Sequence, residues 1–187
     1  MIKLSAEELH KIIPLATIKN IALYLGPLNQ AMEEFEINTP IRIAAFLAQV
    51  AHESENLLYV EEIASGSAYE YREDLGNLKS KALTIAHSHG STTGHWFRGK
   101  GLIQITGYNN FLACGKALEI DCLNKPRLLK EPVNAARSAA WYWVTHDCNE
   151  HIDKGDFDAC TKAINGGYRG KDKRDTLFAN AKKILQC

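Results

Sequence analysis

The chain lacks a net charge: across 187 residues, 22 lysines and arginines balance 22 aspartates and glutamates. A neutral total removes the global field that draws a protein to nucleic acid or to an anionic membrane, so any attraction to a polyanion has to be local. No nucleic-acid partner is expected. Long hydrophobic runs are missing too, and nothing approaches the roughly 20 apolar residues of a membrane-crossing helix, so no stable membrane insertion is expected. The opening MIKLSAEELHKII sets Glu7, Glu8 and His10 where a secretory signal needs apolar continuity. That predicts synthesis in the cytoplasm without a signal peptide. Cysteine is sparse and odd in number: Cys114, Cys122, Cys148, Cys160 and Cys187 contain no paired CxxC and read as reduced, mostly buried thiols rather than a disulfide framework. His87, His89 and His95 sit among serines and glycines without ordered acidic ligands, so neither a metal nor another cofactor is expected. There is no internal repeat and no low-complexity run. With 45% hydrophobic and 24% charged residues, the composition fits one globular domain spanning 1–187, expected to be monomeric.

What stands out is the stretch PIRIAAFLAQVAHESENLLYVEE, residues 40–62. Thr39 is placed to cap a helix, Pro40 suits its first turn, and the residues up to Ala51 are apolar on nearly every side, which marks a buried helix. Arg42, Gln49 and Glu53 share one narrow polar stripe at helical spacing, and such a stripe on a buried helix predicts the lining of a cleft. A straight continuation of the helix would send Glu62 roughly 180° round and about 13 Å along the axis from Glu53. The chain therefore has to fold back after Glu55 and Asn56 to bring Glu62 or Glu61 across from Glu53.

Elsewhere the pattern is mostly helical. Ser5 and Glu8 form a capping box for a helix ending at Pro14, a second helix covers 17–25 and stops at Gly26 and Pro27, and a third carries Leu28, Ala31, Met32 and Phe35. Residues 54–77 read as a loop-rich lobe, while periodicity does not decide the state of 78–93, expected to be a mobile segment beside the cleft. In LIQIT, alternation would set Leu102, Gln104 and Thr106 on one face and Ile103 and Ile105 on the other if the run is extended. Helices follow from Asn109 to near Ile120, from Pro132 with Val133, Ala136, Ala140, Trp143 and Val144 inward, from Phe157 to Asn165, and over the last residues from Leu177 to Leu185. Lys171, Lys173, Arg174, Lys182 and Lys183 read as a solvated basic face.

Two carboxylates facing a polar cleft can break a glycosidic bond, one protonating the leaving oxygen and the other activating water or stabilising positive charge. Glu53 is the natural first partner, and spacing leaves Glu62, Glu61, Glu70 and Glu73 open as the second. The ordered set AHES with an acidic pair about nine residues on, YEYREDLGN, RGKGLIQITGYNNF, PVNAARSAAWYWV and the INGG turn resembles glycoside hydrolase family 19, chitinase-like proteins that include phage and prophage endolysins. The resemblance runs over residues 40–185, with the helices of 1–38 packed on that core, and the short chain looks like the compact endolysin branch. It implies a mainly α (α+β) fold, a lysozyme-like two-lobed helical domain with a small loop/β-hairpin lobe and a central cleft. By the same resemblance Glu53 is the general acid, Glu62 the second carboxylate with Glu70 and Glu61 behind it, and Gln104, Thr106, Asn110 and Asn165 contact sugar. The implied activity is cleavage of the peptidoglycan glycan strand in the periplasm or cell wall, with export through a separate holin-type pore. A chitinase acting on N-acetylglucosamine polymers, a lytic transglycosylase and a non-catalytic glycan-binding module are the alternatives.

Overall fold

The structure is a computed structural model that describes residues 2–187. Ten α-helices account for most of the described chain: α1 (Ala6–Ile12), α2 (Ile18–Glu34), α3 (Pro40–Glu53), α4 (Ser80–Ser88), α5 (Thr93–Trp96), α6 (Tyr108–Leu118), α7 (Pro132–Thr145), α8 (Cys148–Asp153), α9 (Phe157–Asn165) and α10 (Lys171–Leu185). Local chemistry sets several boundaries as expected. Ser5 and Glu8 make the reciprocal capping box of α1, the Thr39 hydroxyl accepts from Arg42 N at 3.3 Å at the start of α3, and Gly166 takes the left-handed conformation that ends α9. Short 310 turns lie at Ser67–Tyr69 and Pro126–Lys130. The β component reduces to two antiparallel bridges, Glu61 with Lys100 and Lys100 with Ile105.

The expected break at Gly26 and Pro27 does not occur, and 18–34 form one helix with Pro27 inside it. Ile21, Tyr24, Leu28, Ala31 and Met32 are all buried, so one apolar face runs through the Gly-Pro pair and docks on α7. Packing along that face outweighs the hydrogen bond that Pro27 is unable to donate. Residues 80–88, undecided by periodicity, are helical. On α7 the inward face differs from the expected one: Val133 is exposed at 46%, while Ala135, Ala139 and Trp141 join Ala136, Ala140 and Trp143 in the interior.

Two separate apolar cores give the molecule its lobes. The larger gathers α1, α2, α3, α7, α8, α9 and α10 around the fully buried run Ile43–Ala51. The smaller packs Phe97, Ile105, Tyr108, Phe111 and Leu118 with Leu129 and Trp141, joined by edge-on contacts of Phe97 with Tyr108 and with Phe111. Within the larger lobe α3 packs on α10, α8 and α7, and its C-terminal end carries Glu53. Cys114, Cys122, Cys148 and Cys160 are free and buried, and Cys187 is free and exposed. Among the described residues no helix is long and apolar enough to cross a membrane.

Candidate active site

Glu53 is the last residue of α3, and what happens next decides the site. Glu55, Asn56 and Leu57 take φ values of +47°, +61° and +64°, a left-handed turn that reverses the chain. Ser54 anchors the reversal: its hydroxyl donates to Val50 O and accepts from Leu57 N at 2.9 Å, and its carbonyl accepts from both Leu58 N and Tyr59 N at 2.9 Å. Leu57 is buried, and its carbonyl accepts from the Asn20 amide at 3.0 Å. By Tyr59 the chain is thus back beside the end of α3. Glu62 follows three residues later, a contour of about 10 Å at most. The turn expected after Glu55 and Asn56 is present.

The polar stripe of α3 is mostly occupied by protein rather than facing a cleft. Arg42 grips Asp153 of α8 and the Glu36 carbonyl, and Gln49 is fully buried, donating to Thr161 at 2.9 Å. Arg174 of α10, 1% exposed, completes the stripe by donating to Gln49 Oε1 and forming an ion pair with Glu53. The expected solvated basic face is corrected at Arg174, while Lys173 and Lys183 are exposed as expected. Arg174 lies in the interior, Lys171 pairs with Asp158 and Asp175, and Lys173 pairs with Glu55. The two ends of the stripe reach solvent, Arg42 with its side chain 21% exposed and Glu53 with 19%. Beside Glu53 thus stands a buried guanidinium. Next to it His52, half-buried with Nδ1 unpartnered, is pushed down to about 4 by burial and by the charges of Arg174 and Lys173.

Glu62 is held by neutral donors. Its carboxylate accepts from the Tyr69 hydroxyl at 3.0 Å and from Gly99 N at 3.2 Å, while its own N–H donates to the Gly99 carbonyl at 2.9 Å. Burial, then the bond to Glu62, raises the Tyr69 phenol above its ordinary range and keeps it a donor. The two lower-ranked carboxylates have other partners. Glu61 is clasped by Arg98 at 2.9 Å, by Lys130 and by Lys100 at 3.7 Å. Burial works to raise its carboxyl, and the Lys130 bond with the charges of Lys100 and Arg98 outweighs that and holds it low. Glu70 accepts from Gly94 N at 3.1 Å and Thr93 Oγ1 at 3.3 Å, filling orphan donors at the start of α5.

The LIQIT run is not extended. Gly101 to Gln104 form a tight turn in which Leu102 and Ile103 are buried and Gln104 has φ +55°, and the following Ile105 is buried as well. Gln104 and Thr106 still converge, for a methyl at Gly99 would lie 2.7 Å from Gln104 Oε1 and 3.3 Å from Thr106 Oγ1. Glycine at 99 lets those side chains close over the amide that Glu62 uses. The Gln104 amide donates to Gly101 O at 2.9 Å, and Asn110 donates to Thr106 O at 2.8 Å. So Glu62, Gln104 and Thr106 share one patch, with Asn110 one bond behind it. Asn165, half-buried, ends α9 and begins the turn reaching Gly170, which lies against the His52 ring. That turn thus ends beside His52, the chain neighbour of Glu53.

Sequence comparison matches residues 35–175 to the glycoside hydrolase family 19 profile described as chitinase class I. An endochitinase of Arabidopsis thaliana is 36% identical over 126 residues, 67% of this chain and 39% of its own length, so the chain spans about two fifths of that plant protein. A glycosyl hydrolase family 19 domain-containing protein of Haemophilus influenzae is 30% identical over 162 residues, covering 72% of this chain and 76% of that protein. In fold the chain matches chitinase C of Streptomyces griseus with a TM-score of 0.75 at 22% identity, over 97% of this chain and 76% of the other. A bacterial family 19 chitinase superposes with a TM-score of 0.73 at 22% identity, over 99% of this chain and 94% of the other. With most of its length inside the profile and its helical two-lobed fold shared with these structures, the chain belongs to glycoside hydrolase family 19.

Proposed function

We propose that the chain is an endolysin-type peptidoglycan hydrolase that cuts glycosidic bonds of the glycan strand by carboxylate acid/base catalysis. The observation that supports the catalytic part is the turn at residues 54–59, which ties Tyr59 to the end of α3 three residues before Glu62. Glu53 protonates the leaving oxygen. Glu62, steadied by Tyr69 and Gly99 N–H, activates water or stabilises the positive charge that develops on the sugar. Gln104, Thr106, Asn110 and Asn165 offer hydroxyl and amide groups to the polar substituents of an aminosugar chain. The choice of peptidoglycan is supported by the AHES, RGKGLIQITGYNNF and INGG set in a short chain, the pattern that resembles the endolysin branch. In that setting the protein acts as a monomer and reaches the wall through a holin-type pore.

Chitin is the second reading, favoured by the plant relatives, which are named endochitinases. Incubating the purified protein with peptidoglycan and with chitin, followed by mass spectrometry of the products, separates the two. Reducing ends from peptidoglycan are expected, and sugar released from chitin alone refutes the endolysin reading. Anhydro ends would assign a lytic transglycosylase. Glu53→Gln should bind glycan without turnover, whereas a binding module would be unaffected.

A further inference from the structure

Behind the ladder that carries Glu62, cations outnumber carboxylates. Between α5, residues 98–100 and the 310 turn Pro126–Lys130 lies a pocket of about 160 Å³ lined by Arg98, Lys100, Arg127, Lys130 and His95, with Glu61 as its one carboxylate. Glu61 is already shared among Arg98, Lys100 and Lys130. Lys100 is only 3% exposed and otherwise meets the carbonyls of Trp96 and Arg98, at 3.1 and 3.2 Å, and the Phe111 ring, 5.6 Å from its centroid. Arg98 Nε is buried and, among the described residues, has no hydrogen-bond partner. Arg127 has neither a hydrogen bond nor an ion pair to the described residues and is exposed at the rim. A buried cation such as Lys100 that shares its one counterion with two other cations is costly, as is a buried donor such as Arg98 Nε without an acceptor, and an oxyanion supplies both the missing charge and the missing acceptor.

A second hollow of about 530 Å³ adjoins this pocket, sharing Trp96, Pro126 and Arg127 and adding His89, Asn124 and Lys125. His89 stacks flat on Trp96 with ring centroids 4.3 Å apart. The small pocket is sized for a single carboxylate, and the neighbouring hollow offers an apolar wall, further cations and room for a short chain.

We propose that this pocket is a second binding site, distinct from the Glu53–Glu62 site, which takes a carboxylate of the peptide stems attached to the glycan strand while the stem lies along the Trp96–Pro126 hollow. The inference rests on the peptidoglycan reading and gives a neutral protein a local means of gripping an anionic wall. Burial, and then the nearby charges of Arg98 and Lys130 against the opposing pull of Glu61, brings Lys100 down to about 8, in keeping with a site whose positive charge is under-compensated.

The test uses the full chain carrying Glu53→Gln, so that substrate persists, with and without Arg127→Glu. It is sedimented with intact sacculi, with sacculi whose carboxylates have been converted to neutral amides, and with chitin beads. Arg127→Glu should weaken binding to intact sacculi about tenfold, the loss expected for one charge-assisted hydrogen bond, and leave binding to amidated sacculi and chitin unaltered. Equal affinity of the two proteins for intact sacculi overturns the proposal, and so does a parallel loss on chitin. In parallel, the small tricarboxylate tricarballylate should raise the melting temperature of the wild-type chain and not that of Arg127→Glu. If tricarballylate binds through Arg127 but sacculi do not distinguish the variants, the stem-peptide assignment is overturned. Cleavage of peptidoglycan is scored separately with the wild-type enzyme, so failure of the catalytic reading is not mistaken for failure of this one.

Discussion

Removing Arg174 tests whether the end of α3 is organised from α10. The guanidinium is 1% exposed, donates to the fully buried Gln49 and pairs with Glu53, and its Nε reaches the Arg169 carbonyl at 3.4 Å. Arg174→Met keeps much of the volume and removes every donor. A buried ion pair that loses one partner costs about 3–5 kcal/mol, and an orphaned acceptor such as Gln49 Oε1 costs about 1–3 kcal/mol. Because Glu53 keeps some solvent contact, the lower part of the first range applies, and the two costs overlap. The expected loss is about 3 kcal/mol in urea unfolding followed by circular dichroism at pH 7. Arg174→Lys should lie between, since an ammonium has the charge but not the planar fork that reaches Gln49 and Glu53 together. In a Glu53→Gln background the same substitution should cost about 1–2 kcal/mol less, the coupling expected of contacting groups. An Arg174→Met protein within about 0.5 kcal/mol of wild type, the ordinary range of surface changes, and with unaltered turnover would refute the view that this arginine fixes the acid.

The carboxylate assignment is separated by two substitutions: Glu62→Gln should lower turnover by about 100-fold or more, whereas Glu70→Gln should leave it within a few-fold and cost about 1 kcal/mol of stability by weakening the cap of α5. A Glu70→Gln protein that is stable and inactive would reverse the two roles. His52 supplies a pH dependence: its folded-state value lies near 4 against an ordinary 6.5, so its contribution is fully present above about 6.5 and is lost as pH falls toward 4. For this half-buried ring that amounts to about 1–2 kcal/mol after allowance for solvent screening, and urea midpoints of His52→Asn should change less between pH 7 and 4.5 than those of wild type. Gly170→Ala should destabilise the chain by about 1–3 kcal/mol and lower activity, because φ is +72° and the new methyl would stand 2.3 Å from His52 Cε1. A wild-type melting temperature for that variant would show that the turn gives way without disturbing His52.

Features that depend on a few neighbouring residues were legible from the sequence, and those that depend on a distant partner were not. The capping box of α1, the Pro40 start of α3 and the Gly166 end of α9 are each specified within a few residues. Gly26 and Pro27 were misleading for the complementary reason, since local propensity spoke for a break while the buried face from Ile21 to Met32 ran on uninterrupted. The same face-continuity argument would have found Arg174. It stands three, four and seven residues before Leu177, Phe178 and Ala181, in phase with the buried side of α10, where a basic residue has to meet an internal acceptor or go unpaired. On α3, Gln49 and Glu53 form a polar stripe within an otherwise apolar helix. Neither stripe is interpretable alone, because each leaves polar groups that the interior tolerates only when matched. Together they specify each other: one buried cation on α10, two acceptors one turn apart on α3, and a helix contact between them. Glu53, the proposed acid, is thus the outer end of an internal polar seam, and what holds it was written in the sequence 121 residues away.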